Sequence, residues 1–391
     1  MKKSLLSLFA ISAIVCLSTC LTACESDSVP PAAPAPASSE STEKRTVVPV
    51  DYSAGRAMNA RLGKGINLGN SWDSDNANNP NCADSCWSNP IKDEDFKIIK
   101  DAGFNSIRLP VRWQKNSDYT THTVDPNRLA GVKEDVRLAM EQGLAVVLDF
   151  HHYTELNAYG LGAHHKKADT VALFQREKEH FIALWSQIAT EFEEFPDTML
   201  VYDIFNEPTI PNEELLNEVL LGAYAAIRAA SPRKTIMFES YNWAKFEQLP
   251  ALNLPPDGNI IYSGHFYEPY QYSHQGHGYS CLGDAVYENS ASARFDSFAL
   301  LGIQNYPDVS GKDFIPMNMG EFGISGQSNR ECKDKAPSDA KRAQWARETI
   351  AAAKKYNMSF HYWGFTNVGG FEAYDRKNGS WYPGFPGALL N

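Results

Sequence analysis

Basic charge is scarce in this chain of 391 residues: 36 Lys and Arg stand against 47 Asp and Glu, a net −11 with His neutral. Phosphate binding needs concentrated Lys and Arg, so nucleic acid and anionic lipid are excluded as the main partner. Past the first two dozen residues no apolar run is long enough to cross a bilayer. No internal repeat is visible beyond an alternation of strand and helix patterns. A Gly-rich dinucleotide turn is missing too: Gly63-Lys64-Gly65 with Gly69 has the wrong spacing and no helix directly behind it. What is present is an ordinary globular balance, 43% apolar and 21% charged, which excludes a wholly disordered chain. Aromatics reach 12%, which suits either a large aromatic core or a ligand with flat apolar faces.

The first segment reads as an address. Lys2 and Lys3 precede an apolar stretch, Leu5 to Leu17, too short for a lasting membrane span. Leu21-Thr22-Ala23-Cys24 resembles a bacterial lipobox, which implies a signal peptide over 1–23 and lipidation of Cys24. Residues 24–48 are rich in Pro, Ala and Ser without apolar period, so they read as a tether. The folded domain is expected over 49–391, held outside the cytoplasm and touching membrane only through the anchor. Glu25 follows Cys24, and the expected location is the outer membrane or cell surface. Of seven cysteines, Cys82, Cys86, Cys281 and Cys332 remain in that domain. An even number in an exported domain suggests two disulfides, with Cys82–Cys86 and Cys281–Cys332 the favoured pairing. A zinc site at Cys82 and Cys86 lacks a second ligand pair.

Eight short β-rich runs alternate with helical patterns from about residue 64. They are 65–70, 106–111, 145–152, 200–208, 235–240, 260–267, 315–323 and 359–365. Helices are expected at 93–103, 127–143, 173–192, 213–230 and 338–357, with Gly103 and Gly143 as C-caps and Ser338 as an N-cap. Eight such units in one domain predict a single (β/α)₈ TIM barrel, whose active site forms at the C-terminal ends of the strands. The polar residues gather at those ends: Arg108, His151-His152, Asn206-Glu207-Pro208, His265-Phe266-Tyr267, Glu321-Phe322-Gly323 and Trp363. Glu207 and Glu321 thus finish strands on opposite sides of one barrel. Two facing carboxyls are what glycoside hydrolysis needs, one to protonate the leaving oxygen and one to attack or to activate water.

Asn206-Glu207-Pro208 and Gly320-Glu321-Phe322-Gly323, with His265-x-Tyr267 between them, resemble glycoside hydrolase family 5 from about residue 60 to 391. The resemblance implies a retaining barrel enzyme with Glu207 as acid/base and Glu321 as nucleophile. It also implies substrate-side roles for Arg108, His151, Asn206, His265, Tyr267 and Trp363. Arg108 and the Tyr267 hydroxyl would donate to Glu321, Asn206 would hold the sugar 2-hydroxyl, and Trp363 would form a platform under a glucosyl ring. No cofactor or metal is required by that mechanism.

Neighbours on a strand point to opposite faces, so only one of His151 and His152 should reach the mouth unless the strand has already ended. That makes them a poor metal pair and favours histidine as neutral lining of a sugar cleft. His164, His165, His274 and His277 keep a metal-dependent hydrolase as an alternative, and a non-catalytic glycan-binding barrel is a third. Trp72 is expected as a further substrate contact, with Trp87, Trp113 and Trp243 as either platforms or core. The long connections 73–90 and 268–292 should shape the cleft. The glucan-type stretches 65–73 and 265–270 imply an endo-β-1,4-glucanase (cellulase) acting on β-glucan. Mixed-linkage β-1,3-1,4-glucanase, possibly acting from chain ends, is the alternative; mannan and xyloglucan follow.

Overall fold

The computed structural model describes residues 47–76, 82–160, 168–276, 287–326 and 335–391. Val47–Asn391 forms one unit. All eight expected strands are present: β1 Lys64–Asn67, β2 Ser106–Val111, β3 Ala145–Phe150, β4 Leu200–Asp203, β5 Thr235–Glu239, β6 Ile260–Phe266, β7 Met317–Phe322 and β8 Ser359–Tyr362. They pair in parallel and in chain order, with β8 returning to β1, so the sheet closes into a barrel. Helices α1 Ser53–Leu62, α2 Asp93–Ala102, α3 Pro126–Glu141, α4 Ala168–Glu191, α5 Glu213–Ala230, α6 Ala291–Asn305 and α7 Asp339–Lys354 flank it. None of the described helices is long and apolar enough to cross a membrane.

Local chemistry sets several boundaries. Pro126 opens α3 behind Asp125, whose side chain accepts from the backbone N–H groups of Asn127 and Arg128. Gly103 ends α2 in the left-handed conformation, φ 107°. Ser338 does stand at the N-cap of α7, but its side chain makes no cap hydrogen bond. Between β5 and β6 the expected unit has only a short segment, Tyr241–Ala244, and a 3₁₀ turn, Phe246–Ala251, with Pro250 inside it. The sequence reading did not anticipate α1 or α6.

The strand period of two divides the barrel wall. Outward residues such as Val146, Leu148 and Phe150 join the main core with the helices. Inward residues Ala145, Val147, Val201, Met237 and Ile261 form a separate apolar cluster, which Met58 and Leu62 of α1 complete. Further up, the inward positions turn polar: Asn67, Arg108, Asp149, Asp203, Glu239, His265 and Glu321, all buried. The apolar layer supports the fold, and the polar layer becomes the floor of a cleft.

Candidate active site

The polar layer is organised by Arg108, which is wholly buried. Its Nη1 donates to Glu321 Oε1 (3.0 Å) and Asn67 Oδ1 (3.2 Å). Nε donates to Asp203 (3.1 Å), and Nη2 to Asn206 Oδ1 (2.7 Å) and Glu239 (3.3 Å), with Asp149 3.1 Å away. One guanidinium faces four carboxyls, and they do not all ionise alike. Burial drives Asp149 well above the usual carboxylate range, and Arg108 does not cancel it. Burial and the neighbouring Glu239 raise Asp203 to about 7. Burial would raise Glu239 too, but the charge and hydrogen bond of His265 hold it below its ordinary value.

Glu321 owes its place to an irregularity. β6 and β7 are in register at Gly264–Met319 and then at His265–Glu321, so Gly320 is an extra residue on β7. Without that bulge the period of two would turn Glu321 away from the barrel interior. A Cβ at residue 320 would lie 2.6 Å from Ser263 Oγ and 3.2 Å from His265 Nε2, so only glycine fits there. Burial pushes the Glu321 carboxyl up to about 7, Glu207 adds to the push, and His265 and Arg108 pull against it. Tyr267 donates its hydroxyl to Glu321 Oε2 (2.9 Å); burial and the two glutamates keep that phenol protonated.

Glu207 lies beyond the end of β4 in a left-handed conformation, φ 46°, which is uncommon for a residue with a side chain. Its backbone N–H donates to Glu239 Oε2 (2.7 Å). Its Oε1 lies 2.8 Å from His265 Nδ1, and His265 Nε2 lies 3.0 Å from Glu239 Oε1. Burial disfavours charge on His265, but Glu239, Glu321 and the hydrogen bonds to Glu207 and Glu239 outweigh it and hold the imidazole well above its usual value. Carboxylate oxygens of Glu207 and Glu321 come within 4.8 Å of each other.

A cleft of about 740 Å³ opens over this pair, lined among others by Asn70, His151, His152, Trp243, Tyr270 and Trp363. Trp363 stacks parallel to His151 (centroids 5.5 Å). A Cβ on Gly69 would come within 2.4 Å of the Trp363 ring, so the chain just past β1 must run beneath it as bare backbone. Trp243 is 57% exposed and sits in three consecutive left-handed residues, Asn242, Trp243 and Ala244. The disulfide Cys82–Cys86 is formed, and the following Trp87 lies 6.5 Å from His152. Cys24, Cys281, Cys332, His164, His165 and His277 lie outside the described residues.

The structure overturns the contact expected of Trp72 and refines several other expectations. Trp72 is no sugar contact: it is 6% exposed, its Nε1 donates to Asp135 (2.6 Å), and Arg128 covers its ring. Trp113 is buried likewise. Arg108 donates to Glu321 as expected, and His265, which lines the cleft, has a carboxyl at each ring nitrogen. His151 and His152 both face the cleft, because β3 ends at Phe150 and the alternation ends with it. Burial, then the other's charge and Arg108, keeps His151 neutral. Burial and nearby Arg112 lower His152 to about 3. Asn206 gives its Oδ1 to Arg108, leaving its NH₂ as the group it can offer. Glu239, Asp149 and Asp203 were missed, although each ends an apolar strand as Glu321 does.

A family model described as Cellulase (glycosyl hydrolase family 5) matches residues 70–369. The chain is 26% identical over 360 residues to endoglucanase A of Paenibacillus barcinonensis, covering 82% of this chain and 85% of the relative. It is 25% identical over 283 residues to endoglucanase H of Acetivibrio thermocellus, covering 71% of this chain but only 28% of that longer protein. Structures of Thermotoga maritima Cel5A with cellobiose (TM-score 0.71) and with mannotriose (TM-score 0.70) are each 28% identical. Each covers 86% of this chain and 100% of the other.

Proposed function

The chain belongs to glycoside hydrolase family 5, the cellulase family, and from that premise we propose that it is a retaining endo-β-1,4-glucanase. The observation that carries the mechanism is the approach of Glu207 and Glu321 oxygens to within 4.8 Å. Retaining enzymes hold their carboxyls about 5–5.5 Å apart, whereas inverting ones leave about 6.5–9.5 Å for a water. Glu321 attacks the anomeric carbon as Glu207 protonates the departing oxygen, which breaks the glycosidic bond and leaves a glycosyl ester on Glu321. Glu207, now a carboxylate, takes a proton from water, and that oxygen displaces Glu321 with net retention. Arg108 and Tyr267 stabilise Glu321 as an anion when it leaves. The Asn206 NH₂ takes the sugar 2-hydroxyl, and Trp363 and Trp243 carry glucosyl faces.

A similar solved structure described as an endo-β-1,4-glucanase in complex with substrate favours β-1,4-glucan, and the mannotriose complex of Cel5A makes mannan the second reading ahead of xyloglucan. Mixed-linkage glucan shares the local β-1,4 unit. The test is proton NMR of the first product from a cello-oligosaccharide, beside viscosity assays on carboxymethylcellulose, barley glucan and mannan. A β-anomer with rapid viscosity loss on the first polymer is expected. An α-anomer rejects the retaining mechanism, and activity confined to barley glucan or mannan rejects the substrate. The lipid anchor at Cys24, holding a domain over 49–391 at the outer membrane or cell surface, is part of the same proposal, supported by Leu21-Thr22-Ala23-Cys24 behind an apolar stretch. Cys24→Ala should abolish palmitate labelling and release the protein from membranes.

A further inference from the structure

We propose that Asp73, His151 and His152 form a site for one divalent transition ion, Zn²⁺ being the representative, on the wall of the cleft. A carboxylate oxygen of Asp73 and one ring nitrogen from each histidine lie within 4.8 Å of one another. A tetrahedral Zn²⁺ with bonds of about 2.0–2.2 Å holds ligand atoms roughly 3.4 Å apart, so modest side-chain rotation closes the set.

Asp73 is the strongest argument. It is 1% exposed. Its Oδ1 accepts the Ser71 N–H (2.8 Å), but Oδ2 is buried with no hydrogen-bond partner among the described residues. An orphaned buried carboxylate oxygen is costly, and a cation would satisfy it. His151 adds the outer contact that metal-bound histidines generally have: Nδ1 stands 2.6 Å from Asp149 Oδ2. With that nitrogen donating to Asp149, Nε2 presents its lone pair. The His151 and His152 rings pack 4.4 Å apart, and all three residues line the cleft, which leaves a coordination position open to water or a hydroxyl.

Two imidazoles and one carboxylate suit Zn²⁺, Cu²⁺ or Ni²⁺; Ca²⁺ and Mg²⁺ require oxygen-rich sets. Atoms of Glu207, His265 and Glu321 also lie within 4.8 Å of one another, yet His265 has a carboxylate on each nitrogen and so no lone pair to give. An ion at Asp73 would occupy space that a sugar needs. The expected consequence is inhibition competitive with substrate, and this consequence alone rests on the hydrolase reading.

The test is calorimetric titration of the chelator-treated full chain with Zn²⁺, with Ca²⁺ as control. Expected is one Zn²⁺ at this site, weakened about tenfold or more by Asp73→Asn and by His152→Ala, and no response to Ca²⁺. His122→Ala, removing the partner of His180 (Nδ1 to Nδ1 2.8 Å), should change nothing. Zn²⁺ affinity unchanged in both site variants, or lost in His122→Ala, overturns the site. Asp73→Asn keeps the Ser71 contact; if it fails to fold, the half-buried His152 carries the test, with circular dichroism to confirm folding. A chain that binds Zn²⁺ here but cleaves no glycan rejects the proposed function and leaves the site standing. A chain that cleaves glycan and takes no ion rejects the site alone.

Discussion

Nδ1 of His265 stands 2.8 Å from Oε1 of Glu207. The far nitrogen of the same ring meets Glu239 at 3.0 Å, and Glu239 also holds the Glu207 backbone N–H. A solvent-free carboxylate therefore fixes Glu207 twice, once through the chain and once through an imidazolium. Glu239→Gln keeps the shape and removes the charge. Expected is a fall in kcat of about 10²-fold from lost alignment, with KM little changed. Without the Glu239 charge His265 gives up its proton at lower pH, so the basic limb of the kcat profile should move down. A basic limb that stays in place removes His265 and Glu239 from the mechanism.

Glu207→Gln should lower turnover on polysaccharide by about 10²–10⁴-fold. Aryl glycosides with acidic leaving groups need less protonation and should lose much less in the first step. Glu321→Gln should abolish both. Equal losses on both substrates for Glu207→Gln would place the acid elsewhere.

Glu321 attacks only as a carboxylate, and its folded-state value is raised to about 7. Activity should therefore be present above neutrality and fall as pH drops through about 7 in kcat/KM, which reports the free enzyme. An acid limb near the ordinary carboxylate range would show that Arg108 and His265 prevail over burial.

The two tryptophans should separate cleanly. Trp243→Ala removes an exposed ring, so KM should rise about fivefold, the equivalent of about 1 kcal/mol, while the urea midpoint stays put. Trp72→Ala empties a buried site and should cost about 3–5 kcal/mol of stability. A KM effect from Trp72→Phe without loss of stability would return that ring to the sugar path.

Arg108→Met strips the one guanidinium from four buried carboxyls and should destabilise by about 3–5 kcal/mol at neutral pH. Without Arg108 the already raised Asp149, Asp203 and Glu321 rise further above their unfolded values, and Glu239 loses one of the charges that hold it down. The folded state then binds protons the unfolded state has released, so stability is greatest at low pH and is lost as pH rises. Urea midpoints at about pH 5 and pH 8 read the sign directly; a variant that weakens toward acid contradicts the network.

Much of the barrel was legible because strand and helix periods are local. Strands at 106–111 and 235–240 fall within one residue of their observed bounds. The ends of 145–152 and 200–208 were overextended, since apolar and aromatic residues continue after the ladder stops at Phe150 and Asp203. The ladder's end at Phe150 meets the condition under which both His151 and His152 reach the mouth. Glu239 was within reach: it closes an apolar strand just as Glu321 does, and the same rule would have found it.

The sequence alone determined the closed alternation of β and α, and it put Glu207, Glu321, His265 and Trp363 at strand ends, because these depend on short-range pattern and order along the chain. Tertiary structure alone decided which of them meet. The extra residue at Gly320 turns Glu321 inward beside His265, and the left-handed turn at residue 207 is tied to Glu239. The same packing buries Trp72 against Asp135 and Arg128 while leaving Trp243 in the cleft. Register, bulges and burial arise from contacts between residues far apart in the chain, and no local pattern encodes them.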